Sequence, residues 1–252
     1  FKVRYMPHIL SSIIRKSANP LWMEGSPYET QPIYDINSDD PKKPPVHYEA
    51  HVLKPHSLCH IDAPAHILKN GKKISDFFKA GEVSHFFGQT VVAKIPIQEW
   101  KPAQNAHGLF HFEVSKAVLI ESIQQSTGST LPPDRILVAP EHYPDNASDQ
   151  HDPRYAFTLS VEAAEWLDSN QNFKLLGTSW KSTDFQPGSR ERPIHKIIFR
   201  KALIMECLAL SEVPAGKYFL SAFPLPLDGA SESPVCPVLF TKDDLFEAQI
   251  NL

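Results

Sequence analysis

The stretch His56-Ser57-Leu58-Cys59-His60-Ile61-Asp62-Ala63-Pro64-Ala65-His66 constrains this chain more than any other. It places three histidines and an aspartate within eleven positions. Imidazole nitrogen and carboxylate oxygen are ligands of zinc and its first-row neighbours. A regular helix would set His56 and His60 on one face about 6 Å apart. Pro55 and Pro64 flank the ligands, however, and Pro64 drives Ala63 away from helical angles. A straight strand would align positions 56, 60, 62 and 66 by parity but hold His56 and His60 roughly 13 Å apart, near the limit for sharing one ion. A bend at Ser57-Leu58-Cys59, followed by an extended piece with His60 and Asp62 on the same side, reconciles the two. The alternative is a proline-punctuated loop whose histidines are incidental.

Few large classes of partner survive the totals. The 25 basic and 29 acidic residues give a net charge of -4, so no basic surplus points to nucleic acid or an anionic membrane. No apolar run is long enough to span a bilayer. Cys59, Cys207 and Cys236 form no CxxC pair, and an odd count argues against a disulfide framework. A reducing, cytoplasmic setting is expected. The sequence opens at Phe1 rather than Met, which leaves a removed leader open. With 252 residues the chain is long enough to bury a core, and 23 prolines against 10 glycines predict rigid loops between short elements.

Along the chain, residues 8–14 read as a strand, and 35–45 as a polar, proline-rich surface loop. His47 to Leu53 alternates and reads as a strand delivering the histidine motif, with His47 and His51 structural. Lys69-Asn70-Gly71-Lys72 is a turn. Gly88 to Ile95 is a strand rich in β-branched residues, Val114 to Ile123 a helix, and Arg135 to Ala139 a buried strand. The loop after it, with His142 and His151, is a candidate pocket wall, against a plainer reading as solvated loop histidines. Ser160 caps a helix that carries Ala163, Ala164 and Leu167, and Lys174 to Thr178 follows as a strand. Val213 to Leu220 is a turn into a further strand.

One acid outside the motif stands out. Ala202 to Leu210 is apolar except for Glu206. A lone carboxylate in a buried strand is costly unless it is paired or bound to a cation. His195 opens a short helix whose return strand can fold Glu206 back near it. In one continuous helix the two would lie about 16 Å apart.

The stretch at 56–66 resembles the His-x-x-x-His-x-Asp-x-Pro-x-His signature of the cyclase family of metal-dependent hydrolases. That family includes bacterial-type kynurenine formamidases and isatin hydrolases. Every fixed position is present, as His56, His60, Asp62, Pro64 and His66. Leu58-Cys59 stand where the family usually carries Gly-Thr. Cys59 reads as a small buried filler or as a soft ligand. Pro20-Leu21-Trp22 resembles a Pro-x-Trp segment of the family, in which the tryptophan faces an aromatic substrate; core packing is the plainer role for Trp22. Ser160 to Gly177 also follows the family pattern, but Thr178-Ser179 replace its usual Ile-Asp. The resemblance covers most of residues 9–240 and implies one α/β domain over 1–252. The implied fold is a layered β/β/α, swivelling-domain-like architecture with a mixed central sheet, often assembled as a homodimer or homotetramer.

The resemblance also implies that His195 and Glu206 complete the metal site. Five ligands exceed the need of one open zinc, and a carboxylate can bridge. The economical arrangement is two divalent ions, zinc or alternatively manganese. One is held by His56, His60 and Asp62, the other by Asp62, His195 and Glu206. Such a pair lowers the pKa of a shared water. His66, outside the ligand set, is placed to pass a proton to a leaving nitrogen, or else braces a ligand. The expected activity is hydrolysis of an aromatic amide, most like N-formylkynurenine to kynurenine plus formate. A cyclic amide or a cyclase/dehydratase reaction is the second reading, and a metal-binding protein without turnover the third.

Overall fold

The computed structural model describes residues 7–103, 108–142, 154–185 and 191–250, with side chains described up to 246. In chain order the strands begin with β1 (His8–Ile9), β2 (Tyr28–Tyr34), β3 (Tyr48–Leu53), β4 (His60–Asp62) and β5 (Phe87–Ile95). They continue with β6 (Lys101–Pro102), β7 (Phe110–Val114), β8 (Arg135–Pro140), β9 (Tyr155–Leu159) and β10 (Leu175–Thr178). Last come β11 (Leu203–Glu206), β12 (Gly216–Ser221), β13 (Glu232–Pro234) and β14 (Val238–Phe240). The helices are α1 (Ile74–Lys79), α2 (Lys116–Thr127), α3 (Val161–Asp168), α4 (Pro193–Ile198) and α5 (Lys242–Ile250).

Nine strands form one mixed sheet in the order β1-β14-β12-β5-β8-β10-β11-β4-β13. Its centre, β5-β8-β10-β11, is parallel, and the strands on both flanks pair antiparallel. Parallel neighbours need crossover connections. Helix α2 lies between β5 and β8 in the chain, α3 between β8 and β10, and α4 between β10 and β11. Strand β8 is buried at all six positions, as its unbroken Ile-Leu-Val-Ala run requires of a strand covered on both faces. One face carries Ala93, Ile136, Val138, Leu176 and Ile204 against α2, α3, α4 and the small sheet β6-β7-β9. The other carries Val92, Leu137, Leu203 and Met205 against Ile74, Phe77 and Phe86. The layered α/β expectation with a mixed central sheet holds.

Local boundaries differ from the sequence reading in two places. The strand expected over 8–14 is paired only at His8–Ile9. The helix expected from Val114 begins at Lys116, because Ser115 caps it by accepting from the Val118 amide at 3.3 Å, and Val114 closes β7 instead. Ser160 caps α3 as expected, accepting from the Ala163 amide at 3.2 Å. Gly177 is closely packed: a Cβ there would lie 2.4 Å from Leu137 Cδ2 and 2.8 Å from Leu208 Cδ1, so both leucine side chains would have to shift. The loop between β2 and β3 is exposed throughout residues 35–45, as its polar, proline-rich composition predicts. None of the described helices is long and apolar enough to cross a membrane.

Candidate metal centre

Strand β4 runs between β11 and β13, and this pairing builds the site. Antiparallel register sets Glu206 beside His60 and Ile204 beside Asp62 on one side. On the other side Glu232 lies beside Asp62 and Pro234 beside His60. Opposed residues share a face and neighbours along a strand alternate. His60, Asp62, Glu206 and Glu232 therefore point one way, and Ile61, Met205 and Ser233 the other. Cys59 follows the parity of Ile61 and lies in the apolar cluster on the far face.

Prolines deliver the remaining histidines. A 3-10 turn at Pro55–Ser57 swings His56 back over the strand, the bend falling slightly earlier than residues 57–59. His56 Nδ1 lies 3.0 Å from His60 Nε2 and 4.0 Å from Asp62 Oδ1. A second turn at Pro64–His66 brings the His66 ring to 4.7 Å from His56 and 5.9 Å from His195. His195 enters from α4, with Nε2 3.7 Å from Glu206 Oε1.

Two of the imidazoles have their tautomer set by a partner behind them. His60 Nδ1 donates to the Leu58 carbonyl at 2.8 Å. Its Nε2 then faces Asp62 Oδ2 at 3.5 Å and Glu206 Oε2 at 3.7 Å. His195 Nδ1 lies 2.6 Å from Asp184 Oδ2, which leaves its Nε2 facing Glu206. An imidazole anchored in this way presents its free nitrogen as a ligand. Asp184 also accepts from the Ile194 and His195 amides at 2.9 and 3.1 Å, so it fixes the start of α4 and its histidine together. The Thr183 amide donates to Glu206 Oε1 at 2.7 Å.

Asp62 is fully buried, and neither of its carboxylate oxygens has a hydrogen-bond partner. Burial works against its charge, yet His60, then His66 and His56, outweigh it and hold the carboxyl well below the usual range. Burial pushes Glu206 up to about 7, helped by the charge on Asp62 and opposed by His195 and His60. His60 is raised despite burial, chiefly by Asp62. Burial lowers His66, with His56 and His195 adding to it against the pull of Asp62. A dry carboxylate with two unused oxygens, ringed by imidazole lone pairs and a second carboxylate, fits divalent cations.

The donor atoms fall into two sets within 4.8 Å of one another. One is His60, Asp62 and Glu206; the other is His56, Asp62, His66 and Glu232. Asp62 belongs to both. Glu232, 4.0 Å from His66 Nδ1, and Asp184 were not singled out from the sequence. Neither carries a local signal: Glu232 is one acid in a short Ser-Glu-Ser run, and Asp184 is eleven residues from the histidine it holds. Trp22 stands beside the motif, its indole N–H donating to the His56 carbonyl at 3.1 Å. His142 is exposed at the end of β8, and His151 lies outside the described residues.

Residues 10–185 match the family model described as putative cyclase. The chain is 30% identical over 200 residues to a kynurenine formamidase of Delftia acidovorans, covering 77% of this chain and 80% of the relative. It is 29% identical to a kynurenine formamidase of Paracidovorax citrulli over 233 residues, 89% of this chain and 92% of the relative. In fold it is similar to isatin hydrolase A from Labrenzia aggregata, with a TM-score of 0.68 at 18% identity, covering 94% of each chain. A predicted metal-dependent hydrolase from Bacillus stearothermophilus gives a TM-score of 0.64 at 18% identity, over 93% of this chain and 97% of the other.

Proposed function

This chain belongs to the putative cyclase family, and from that premise we propose that it is a metal-dependent hydrolase of amide C–N bonds, acting on an aromatic formamide. The observation that carries the reading is the buried Asp62 carboxylate, unsatisfied at both oxygens and shared by two sets of ligand-bearing side chains. The kinship with kynurenine formamidases supports the formamide.

Two divalent ions, zinc or alternatively manganese, are the proposed complement, and His56, His60, Asp62, His195 and Glu206 are the residues that would hold them. Such ions would supply a water of lowered pKa and polarisation of a carbonyl. The chain does the rest. Asp184 and the Leu58 carbonyl hold His195 and His60 in the ligating tautomer. His66, half-buried and held below its ordinary pKa, is neutral near pH 7; it takes a proton from the attacking water and returns it to the departing nitrogen. Trp22 forms an aromatic wall beside His56. The protein works in this reading as a single-domain catalyst of the cytoplasm, assembled as a dimer or tetramer.

The test is formate release from aryl formamides by purified protein supplied with zinc and then manganese. His60→Ala is expected to lose metal and activity together. His66→Gln is expected to keep its metal and lose about 10²–10⁴-fold in kcat. Full turnover by His60→Ala would end the proposal. Ring opening of a cyclic amide without formamide turnover would move it to the isatin-hydrolase type of substrate.

A further inference from the structure

Residues 178–184 leave the end of β10 and brace the centre at several points. The Trp180 carbonyl accepts from the Cys207 amide at 3.0 Å, the Thr183 amide holds Glu206, and Asp184 holds His195. Between these contacts Lys181 reaches the other way. Its Nζ donates to the Leu21 carbonyl at 2.8 Å and sits 4.3 Å from the centroid of the Trp22 ring. That ring is the one whose N–H is tied to the His56 carbonyl, so the ammonium stands one aromatic ring away from the metal motif.

Lys181 is half-buried, and burial lowers its pKa. Several other lysines meet carboxylates: Lys54 meets Glu29 at 3.1 Å, and Lys72 meets Glu82 and Lys79 meets Asp228, both at 2.6 Å, whereas the half-buried Lys94, far from the centre in the sheet order, donates to the Leu210 and Ser211 carbonyls. Lys181 pairs with no carboxylate among the described residues; the Leu21 carbonyl and the rings of Trp22 and, more distantly, Trp180 are its partners. Glu24, the acid on this side, is bonded instead to the Ser57 hydroxyl. An ammonium has three donors and only one of them is spent here. A partly dehydrated cation without a counter-charge favours an anion that arrives with a ligand.

We propose that Lys181 and Trp22 form an anion-binding subsite at the rim of the metal centre, which takes a carboxylate carried on the ring of an aromatic amide substrate. The substrate's identity rests on the hydrolase reading, but the subsite itself does not need turnover. Lys181 offers a substrate carboxylate a cation that no carboxylate of the described residues pairs, at the rim and apart from the side chains that would hold the metal. Lys181 is then a specificity-determining residue: it selects charged over neutral aryl amides and takes no part in bond cleavage.

The experiment compares 2-aminobenzoate with its neutral isostere 2-aminobenzamide, by calorimetry on the metal-loaded protein. The wild type is expected to bind the carboxylate about tenfold or more tightly than the amide, the scale of one charge-assisted hydrogen bond. Lys181→Met is expected to abolish that preference at unchanged metal content and unfolding temperature, and Lys181→Arg to keep most of it. An equal preference in Lys181→Met would mean that the metal takes the carboxylate, and would overturn the proposal; so would no preference in the wild type. Turnover gives a second readout, with ortho-formamidobenzoate as the charged substrate and formanilide as the neutral one. For the charged substrate, Lys181→Met should raise KM about tenfold and spare kcat; for formanilide, both constants should stay unchanged. Loss of kcat on both substrates would instead give Lys181 a structural role and overturn the proposal. If neither formamide is hydrolysed but the binding preference holds, the formamidase reading fails and the subsite stands.

Discussion

The two faces of β4 and its neighbours are equally deep and chemically opposite. Ile61 and Met205 on one face and His60 and Asp62 on the other all show no exposure, and Glu206 shows 3%. Ile61 is enclosed by an apolar cluster, where each carbon sheds water and gains dispersion contacts. Asp62, one residue on, has lost the same water and gained no hydrogen bond at either oxygen. What separates core from site in this strand is satisfaction, not depth. The polar face is poised for something that the chain itself does not supply, and the apolar face is complete.

Substitutions on the two faces should therefore fail in different ways. The largest effect is expected from Asp62→Asn, which removes the shared carboxylate: bound metal and hydrolysis should both be lost. In the metal-free state this variant should unfold earlier than metal-free wild type, because the negative charge that His60, His66 and His56 hold in place has gone. Metal analysis and thermal unfolding of both forms check it, and full metal content in the variant would erase the contrast between the faces.

Next comes Asp184→Asn. Asparagine can still accept from the α4 amides but no longer fixes His195 with a charge. Metal affinity should fall by about 10–100-fold, read by chelator competition, with the fold intact. Unchanged affinity would place His195 outside the ligand set.

A milder effect concerns pH. Glu206 is pushed from an ordinary 4.5 to about 7, so the folded metal-free chain holds a proton that the unfolded chain has released. Stability then falls as pH rises across that window. His60, raised above 6.5, has the same sign: its contribution is complete below 6.5 and is lost as pH rises through its folded value. Metal-stripped protein should melt lower at pH 8 than at pH 6, and added zinc should raise the melting temperature most at the higher pH. A metal-free protein more stable at pH 8 would contradict the assignment.

The smallest effect is expected on the apolar face. Ile61→Val should cost about 0.5–1.5 kcal/mol in denaturant unfolding and leave metal content unchanged. Loss of metal here would show that the faces are not independent.

Much of the site was legible because its parts are local. His56, His60, Asp62 and His66 lie within eleven residues, and the flanking prolines dictate turns that curl the first and last histidine over a short strand. Ser160 announced the start of α3, and the apolar run from Ile136 announced a strand covered on both faces. Glu206 was visible as an acid in a run that otherwise reads as core. Glu232, Asp184 and Lys181 were not visible in this way. Each is an ordinary polar residue in a polar stretch, and only its neighbours give it meaning.

The sequence by itself determined which side chains are able to bind metal and which elements carry them, because residue chemistry, proline geometry and strand parity act over a few positions. Only the tertiary structure decided that Glu206 and Glu232 flank the same strand, that Asp184 stands behind His195, and that Lys181 lies on Trp22. Those facts follow from strand register and loop closure between segments far apart in the chain. A one-residue shift in the register of β4 would turn His60 and Asp62 to the face opposite Glu206 and Glu232.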